Sequence, residues 1–230
     1  MAAAARATAF LRHYLVAVQF FTRLPVTGSL AAWVGYSPEM LRASAADFPG
    51  IGWVAGIGAW AGDPAETVLP IFESRAPGDP RPRMAIQAIR QFASDGRRTA
   101  ALRRAATDAN AAARDVGEAA AAAAARAAGL AAASAYTHPL RDVAQTKHIV
   151  GPAAYAALAL ELAGDGSPGA GAALLRRAID AAPYEVCAVL GEMHARAAGR
   201  NRLDCLLHEL DAALRTRLAQ GFREGERPDV

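Results

Sequence analysis

Apolar residues recur along most of this chain at helical spacing, and no run alternates in the manner of a strand. In the segment FLRHYLVAVQFFT, Phe10, Leu11, Tyr14, Leu15 and Val18 share one helical face, so an amphipathic or largely buried helix is predicted before Pro25. A second apolar stretch, Phe48 to Gly62, carries no charge but is 15 residues long with five glycines. A membrane span needs about 20 apolar residues, so this stretch falls short on its own. Asp63-Pro64-Ala65-Glu66 then has the form of a helix start, with a capping aspartate, a first-turn proline and a glutamate three residues on. That helix carries Val68, Leu69, Ile71 and Phe72 and ends in the turn sequence Ala76-Pro77-Gly78-Asp79-Pro80. Pro82 opens the next, whose apolar residues are Met84, Ala85, Ile86, Ala88 and Ile89 and whose stop is Gly96.

Arg97 to Arg114 and Glu118 to Tyr136 are both dominated by alanine, with a break at Asp115 and Gly117. Their faces cannot be phased, because alanine is tolerated in core and surface alike. After His138-Pro139 a helix is expected from about Arg141 to Leu162, with a bend near Gly151-Pro152 as an option. Gly164 to Gly171 reads as a glycine-rich link, followed by helices over about Ala172–Ala182 and Asn201–Gln220 and a shorter one after Pro183. Residues 224–230 read as a polar tail. The fold class expected is all-α: an alanine-rich multi-helix bundle or irregular helical array with an apolar N-terminal helical extension. The alanine helices share no fixed repeat, so a solenoid of identical units is not supported.

Composition strengthens this picture. The hydrophobic fraction is 53% while aromatics supply only 7%, and alanine accounts for much of the difference. Alanine loses no side-chain entropy in a helix and lets helices approach closely. Twenty-five basic residues against 22 acidic leave a net charge of +3, which is weak for a chain of this length. The tightest basic clusters, Arg97-Arg98, Arg103-Arg104 and Arg176-Arg177, make no extended stripe, so no nucleic-acid partner is expected. Cys187 and Cys205 form neither a metal nor a redox motif; no disulfide framework is expected and a reducing cytoplasm is the default compartment. The N-terminal apolar run lacks the small-residue cleavage pattern of a secretory leader.

Two resemblances divide the chain. AVQFFTRLPV, Ala17 to Val26, followed by ADFPGIGWVAGIGAW, Ala46 to Trp60, resembles the opening of cobalamin synthase, the adenosylcobinamide-GDP ribazoletransferase family. The resemblance implies an integral membrane, magnesium-dependent enzyme whose acidic loop follows this opening. Here DPAETVLPIFE follows instead, and without clustered carboxylates nothing is in place to hold Mg²⁺ against a diphosphate. From Ala59 onward, AWAGDPAETVLPIFESRAPGDPRPRMAIQAIRQFA, ARAAGLAAASAYTHPL and GPAAYAALALEL resemble a bacterial immunity family, the immunity-protein-five-like group, with DPRPRMAIQAIR the most diagnostic block. This resemblance implies a helical, cytoplasmic, non-enzymatic protein that neutralises a cognate protein toxin by binding it. The domain organisation expected is a cobalamin-synthase-like remnant over 1–60, from a gene fusion or a misassigned start, a helical immunity-like domain over 61–220 and a tail over 221–230. Weak membrane association through residues 10–60 stays open, and so does the alternative that the chain is a ribazoletransferase-like protein, inactive for want of its acidic loop.

The candidate partner-binding or structural residues are Asp79, Arg81, Arg83, Arg90, His138, His148 and Tyr155. Arg81 and Arg83 flank Pro82 beside Asp79; such guanidinium forks either grip an incoming carboxylate or phosphate or tie the loop to neighbouring helix ends, and the second use is favoured. His138, His148 and His194 lack the spacing of helical zinc ligands. There is no serine in a GxSxG turn, and Gly164 to Gly169 lacks the closing residues of a phosphate loop. No catalytic residue, metal or cofactor is therefore expected, Mg²⁺ entering only under the ribazoletransferase alternative. Leu206, Leu207, Leu210 and Leu214 form a stripe expected to pack inside the bundle, or to dock a partner if exposed.

Overall fold

A computed structural model describes residues 51–137, 143–164 and 168–222. Among these residues eight α-helices and no strand are found: α1 (Ile51–Arg75), α2 (Arg81–Asp95), α3 (Ala100–Asp115), α4 (Ala119–Ser134), α5 (Val143–Ala163), α6 (Pro168–Asp180), α7 (Tyr184–Glu192) and α8 (Arg202–Gln220). The fold is all-α. The helix expected over residues 10–22, His138 and the polar tail lie outside the described residues.

The alanine helix α4 lies at the centre of the first half, packed against α1, α2, α3 and α5. Eleven of its sixteen residues are buried, leaving one narrow open side that runs through Ala119 and Arg126. A helix of alanines has so little side-chain radius that four neighbours can close around it, and dispersion contacts accumulate without large side chains. Glycine carries this furthest at Gly129, where a Cβ would sit 3.1 Å from the Ala106 carbonyl oxygen of α3 and 2.6 Å from the Asn110 amide.

Larger side chains fill the outer layers. Along α1, Val54, Ile57, Ala61, Ala65, Val68 and Phe72 keep one buried stripe in phase for the whole helix. That continuity corrects the helix start expected at Asp63: α1 begins at Ile51 and passes straight through Pro64 and Pro70. Each internal proline costs a hydrogen bond, about 3 kcal/mol. Burial of the stripe on both sides of Pro64 outweighs it, helped by Trp60, whose indole N–H donates to the Ala178 carbonyl of α6 at 2.8 Å. The change of character expected at Ala61 thus falls inside a helix.

Pro152 is likewise internal to α5, which continues unbroken to Ala163. The expected link over Gly164–Gly171 is shorter than its glycines suggest, since α6 already begins at Pro168. Gly171 is a helix residue that lets α6 press on α5; a Cβ there would meet the Ala157 carbonyl oxygen at 2.9 Å. The remaining boundaries follow the sequence reading closely. Gly96 ends α2 in the left-handed conformation at φ 67°, and Glu118 caps α4 by accepting from the N–H groups of Ala120 and Ala121. The leucine stripe of α8, Leu206, Leu207, Leu210 and Leu214, is buried, on the side where α8 packs against α5 and α7. No helix among the described residues is long and apolar enough to cross a membrane.

Candidate partner-binding surfaces

Pro80, in the turn before α2, is followed at once by the arginines singled out in the sequence. Arg81 doubles back on Asp79: the aspartate accepts from its backbone N–H at 3.1 Å and from Nη2 at 2.6 Å, while Nη1 reaches Asp115 at the end of α3 at 2.8 Å. The guanidinium holds the Asp79 carboxyl below its ordinary value, and the two carboxylates raise the pKa of Arg81. Arg83 grips Glu73 of α1 with both prongs, each at 2.6 Å. One helix face further on, Arg90 bridges Asp63 at 2.7 Å and Glu66 at 2.6 Å, and donates to the Ala59 carbonyl. Gly62 leaves room for that guanidinium to lie against α1. Between Arg83 and Arg90 an open groove of roughly 350 Å³ has Leu69 and Ile86 in its floor and Glu66, Gln87 and Gln91 among its walls. Asp79, Arg81, Arg83 and Arg90 thus form a ladder knitting α1, α2 and the end of α3.

His148 and Tyr155 lie elsewhere, on α5. Burial, then the charge of Lys147, lowers the pKa of His148, and its Nδ1 has no hydrogen-bond partner among the described residues. Tyr155 is buried, with Arg126 of α4 and Lys147 within 6.0 and 5.7 Å of its ring centroid. No hydrogen bond or ion pair joins this pair to the ladder among the described residues, so the sequence-derived set divides into two places, with His138 outside the described residues. Nor does any group of three or more His, Cys, Asp or Glu side chains among the described residues stand where it could hold a metal. Cys187 is buried and its thiol is pushed up to about 11 by that burial, which keeps it protonated and unreactive near neutral pH.

Two further groups were not singled out in the sequence. In the C-terminal part, buried Glu161 of α5 receives Arg202 through two bonds of 2.8 and 2.6 Å, and buried Asp211 of α8 receives Arg215 at 2.8 and 3.1 Å and the Arg196 N–H at 3.2 Å. Arg215 also donates to the Met193 carbonyl, and His208 Nδ1 donates to the Arg196 carbonyl. These bonds fasten the non-helical stretch 193–200 to α8. Spacing of four residues hinted at the Asp211–Arg215 pair, but nothing local foretold Glu161 with Arg202.

The second group sits where α3 begins and α4 ends. The Arg103 guanidinium lies 4.9 Å over the Tyr136 ring, and the Tyr136 hydroxyl donates to the Thr99 carbonyl at 2.8 Å. Arg98 donates from Nε to the Ala135 carbonyl at 2.6 Å, and burial there lowers its pKa. Arg104, the next residue of α3, is exposed as well. The sequence shows both arginine pairs plainly, but not the tyrosine that α4 delivers to them.

Comparison with known proteins separates the two ends of the chain. A short N-terminal match of 47 residues is 79% identical to adenosylcobinamide-GDP ribazoletransferase from Polaromonas naphthalenivorans, covering 20% of this chain and 17% of that protein. The same enzyme from Albidiferax ferrireducens is 68% identical over 47 residues, again 20% and 17% of the two chains. The match therefore spans about a sixth of the length of these curated relatives. No solved structure matches. Most of α1, helices α2 to α6 and the arginine ladder fall within the other match, to the Imm-5 like putative immunity protein family, which extends over residues 55–183 and so over more than half of the chain. This chain belongs to the Imm-5 like putative immunity protein family.

Proposed function

We propose that this chain is a non-enzymatic helical binding protein that neutralises a cognate protein toxin by protein–protein contact. The family match over residues 55–183 carries the reading. The chemistry of the site supports it: the arginines of the diagnostic block are engaged with carboxylates of the same chain, an arrangement suited to a rigid scaffold for a surface. Such a protein works by occupying its partner, so its action scales with affinity and needs no turnover. The test is to mix the purified full chain with the toxin encoded beside its gene. A stable complex and loss of toxicity are expected on co-expression; no binding at micromolar concentration would sink the reading.

The 79% identity over 47 residues favours a second reading, a ribazoletransferase-type activity of the N-terminal segment. Complementation of a strain lacking that synthase decides it, with growth on cobinamide as the supporting outcome and failure to grow as the opposing one.

A further inference from the structure

We propose that the arginine–tyrosine cluster at the start of α3 and the end of α4 is the surface that receives the partner, and that the partner presents carboxylates to it. This rests on the binding-protein reading above and adds the place and the chemistry.

The first support is the contrast in charge. Arg81, Arg83 and Arg90 already hold carboxylates of their own chain. Arg103 and Arg104 are exposed and hold none: their side chains make no ion pair with the described residues, although Asp108 lies one turn beyond Arg104. Arg98 spends Nε on a backbone carbonyl and has no carboxylate either. Three guanidinium groups at one end of two packed helices therefore leave most of their donors for an incoming group. Each fork matches a carboxylate bidentately.

The second support is preorganisation. Exposed arginines normally lose rotamer freedom when they bind, at a cost to affinity. Here Arg103 is laid on Tyr136, and Tyr136 is fixed by its hydroxyl to Thr99. Thr99 in turn caps α3 by accepting from the Leu102 N–H at 3.1 Å. Arg98 is anchored to the last turn of α4. Tyrosine and arginine held in a rigid frame are the residue types that dominate protein interfaces. The whole cluster lies inside the span that matches the family.

The extent of the patch favours a protein over a nucleic acid. It occupies the first turns of one helix and the end of another, with Asp95 before it, capping the Arg97 N–H, and Asp108 after it. A phosphate backbone calls for a longer row of cations to gain from counterion release.

The experiment uses the full chain with fluorescein-labelled poly-L-glutamate as the probe and a random-sequence DNA duplex beside it. The charge reversal Arg103→Glu with Arg104→Glu should weaken poly-glutamate binding at least about tenfold, and Tyr136→Ala should weaken it in the same direction. Arg90→Ala should leave it unchanged. A thermal melt confirms that each variant is folded; should the reversal melt early, Arg103→Gln with Arg104→Gln takes its place and must also weaken binding. Absent or unaltered poly-glutamate binding overturns the proposal. So does DNA that binds more tightly than poly-glutamate and shows the same loss, which would assign the cluster to nucleic acid. Toxin neutralisation separates this proposal from its parent. Neutralisation by the wild type and by the reversal alike removes the surface and leaves the binding-protein reading standing. Failure of the wild type to neutralise removes that reading and leaves poly-glutamate to judge the surface.

Discussion

On the face formed by α1 and α2, Arg90 meets Asp63 and Glu66 at 2.7 and 2.6 Å, and those carboxylates are 65% and 55% exposed. In the C-terminal part, Arg215 meets Asp211 at 2.8 Å, a distance no shorter, but that carboxylate is 2% exposed. Water competes for the first pair and is excluded from the acid of the second. The energetic meaning of the two contacts differs accordingly. An exposed pair trades hydration for contact almost evenly, whereas a buried acid has given up its hydration and depends on the partner that remains. A third region, at the start of α3, has arginines that make no ion pair with the described residues. Distance alone ranks none of these; burial ranks the first two, and the lack of an ion pair among the described residues sets the third apart.

The largest effect should come from Arg215→Ala, which leaves buried Asp211 beside the Arg196 N–H without its guanidinium. A loss of about 3 kcal/mol in urea or thermal unfolding is expected, together with release of the stretch 193–200. A loss no greater than that of an exposed pair would show that water reaches Asp211. Arg202→Ala should cost less, about 2 kcal/mol, because Arg202 is itself half exposed and water can replace it at Glu161.

Next comes Glu118→Ala, which removes the cap of α4 and should cost about 1 kcal/mol. The N–H groups of Ala121 and Ala120 hold the Glu118 carboxyl below its ordinary value of 4.5. A depressed folded-state pKa means that the capping contribution is present above the unfolded value. It is lost as the pH falls from there through the folded value. Stability of the wild type should therefore decline on acidification below about pH 4.5, and Glu118→Ala should decline less steeply; parallel acid profiles would show that the cap does not titrate as described.

Arg90→Ala should cost no more than about 1 kcal/mol, and salt should narrow the gap to the wild type. A salt-independent loss would mean that the packing of Arg90 against Gly62 matters more than its charge. Smallest of all is Arg104→Ala, expected to change stability by less than about 0.5 kcal/mol. Any larger loss would reveal an internal partner and so argue against a role in binding.

Much of the fold was legible because it rests on local chemistry. The turn at Ala76–Pro80, the stop at Gly96 and the cap at Glu118 each depend on a residue's own backbone preference or a side chain reaching a few residues along. The site was legible only in part. Arg81 beside Asp79 is a contact across two residues, and the sequence favoured a structural use for it; Arg83 with Glu73 and Arg90 with Asp63 depend on how α2 lies on α1. His148 and Tyr155 came under notice with those arginines but sit apart from them, because α5 packs on α4 and places them there. The helix start at Asp63 failed for a related reason. A proline and an acid make a good local signal, yet a buried stripe running from Val54 to Phe72 outweighs it.

By itself, then, the amino-acid sequence determined the helical class, most of the helix ends and both resemblances, since these reside in backbone propensity, short-range capping and the identity of consecutive residues. The tertiary structure alone decided which side of each alanine helix is inside, which carboxylates are dry and which arginines pair with none among the described residues. Alanine carries no polarity contrast to orient a helix, and a charge acquires its energetic weight only from the neighbours and the water that folding brings to it or removes.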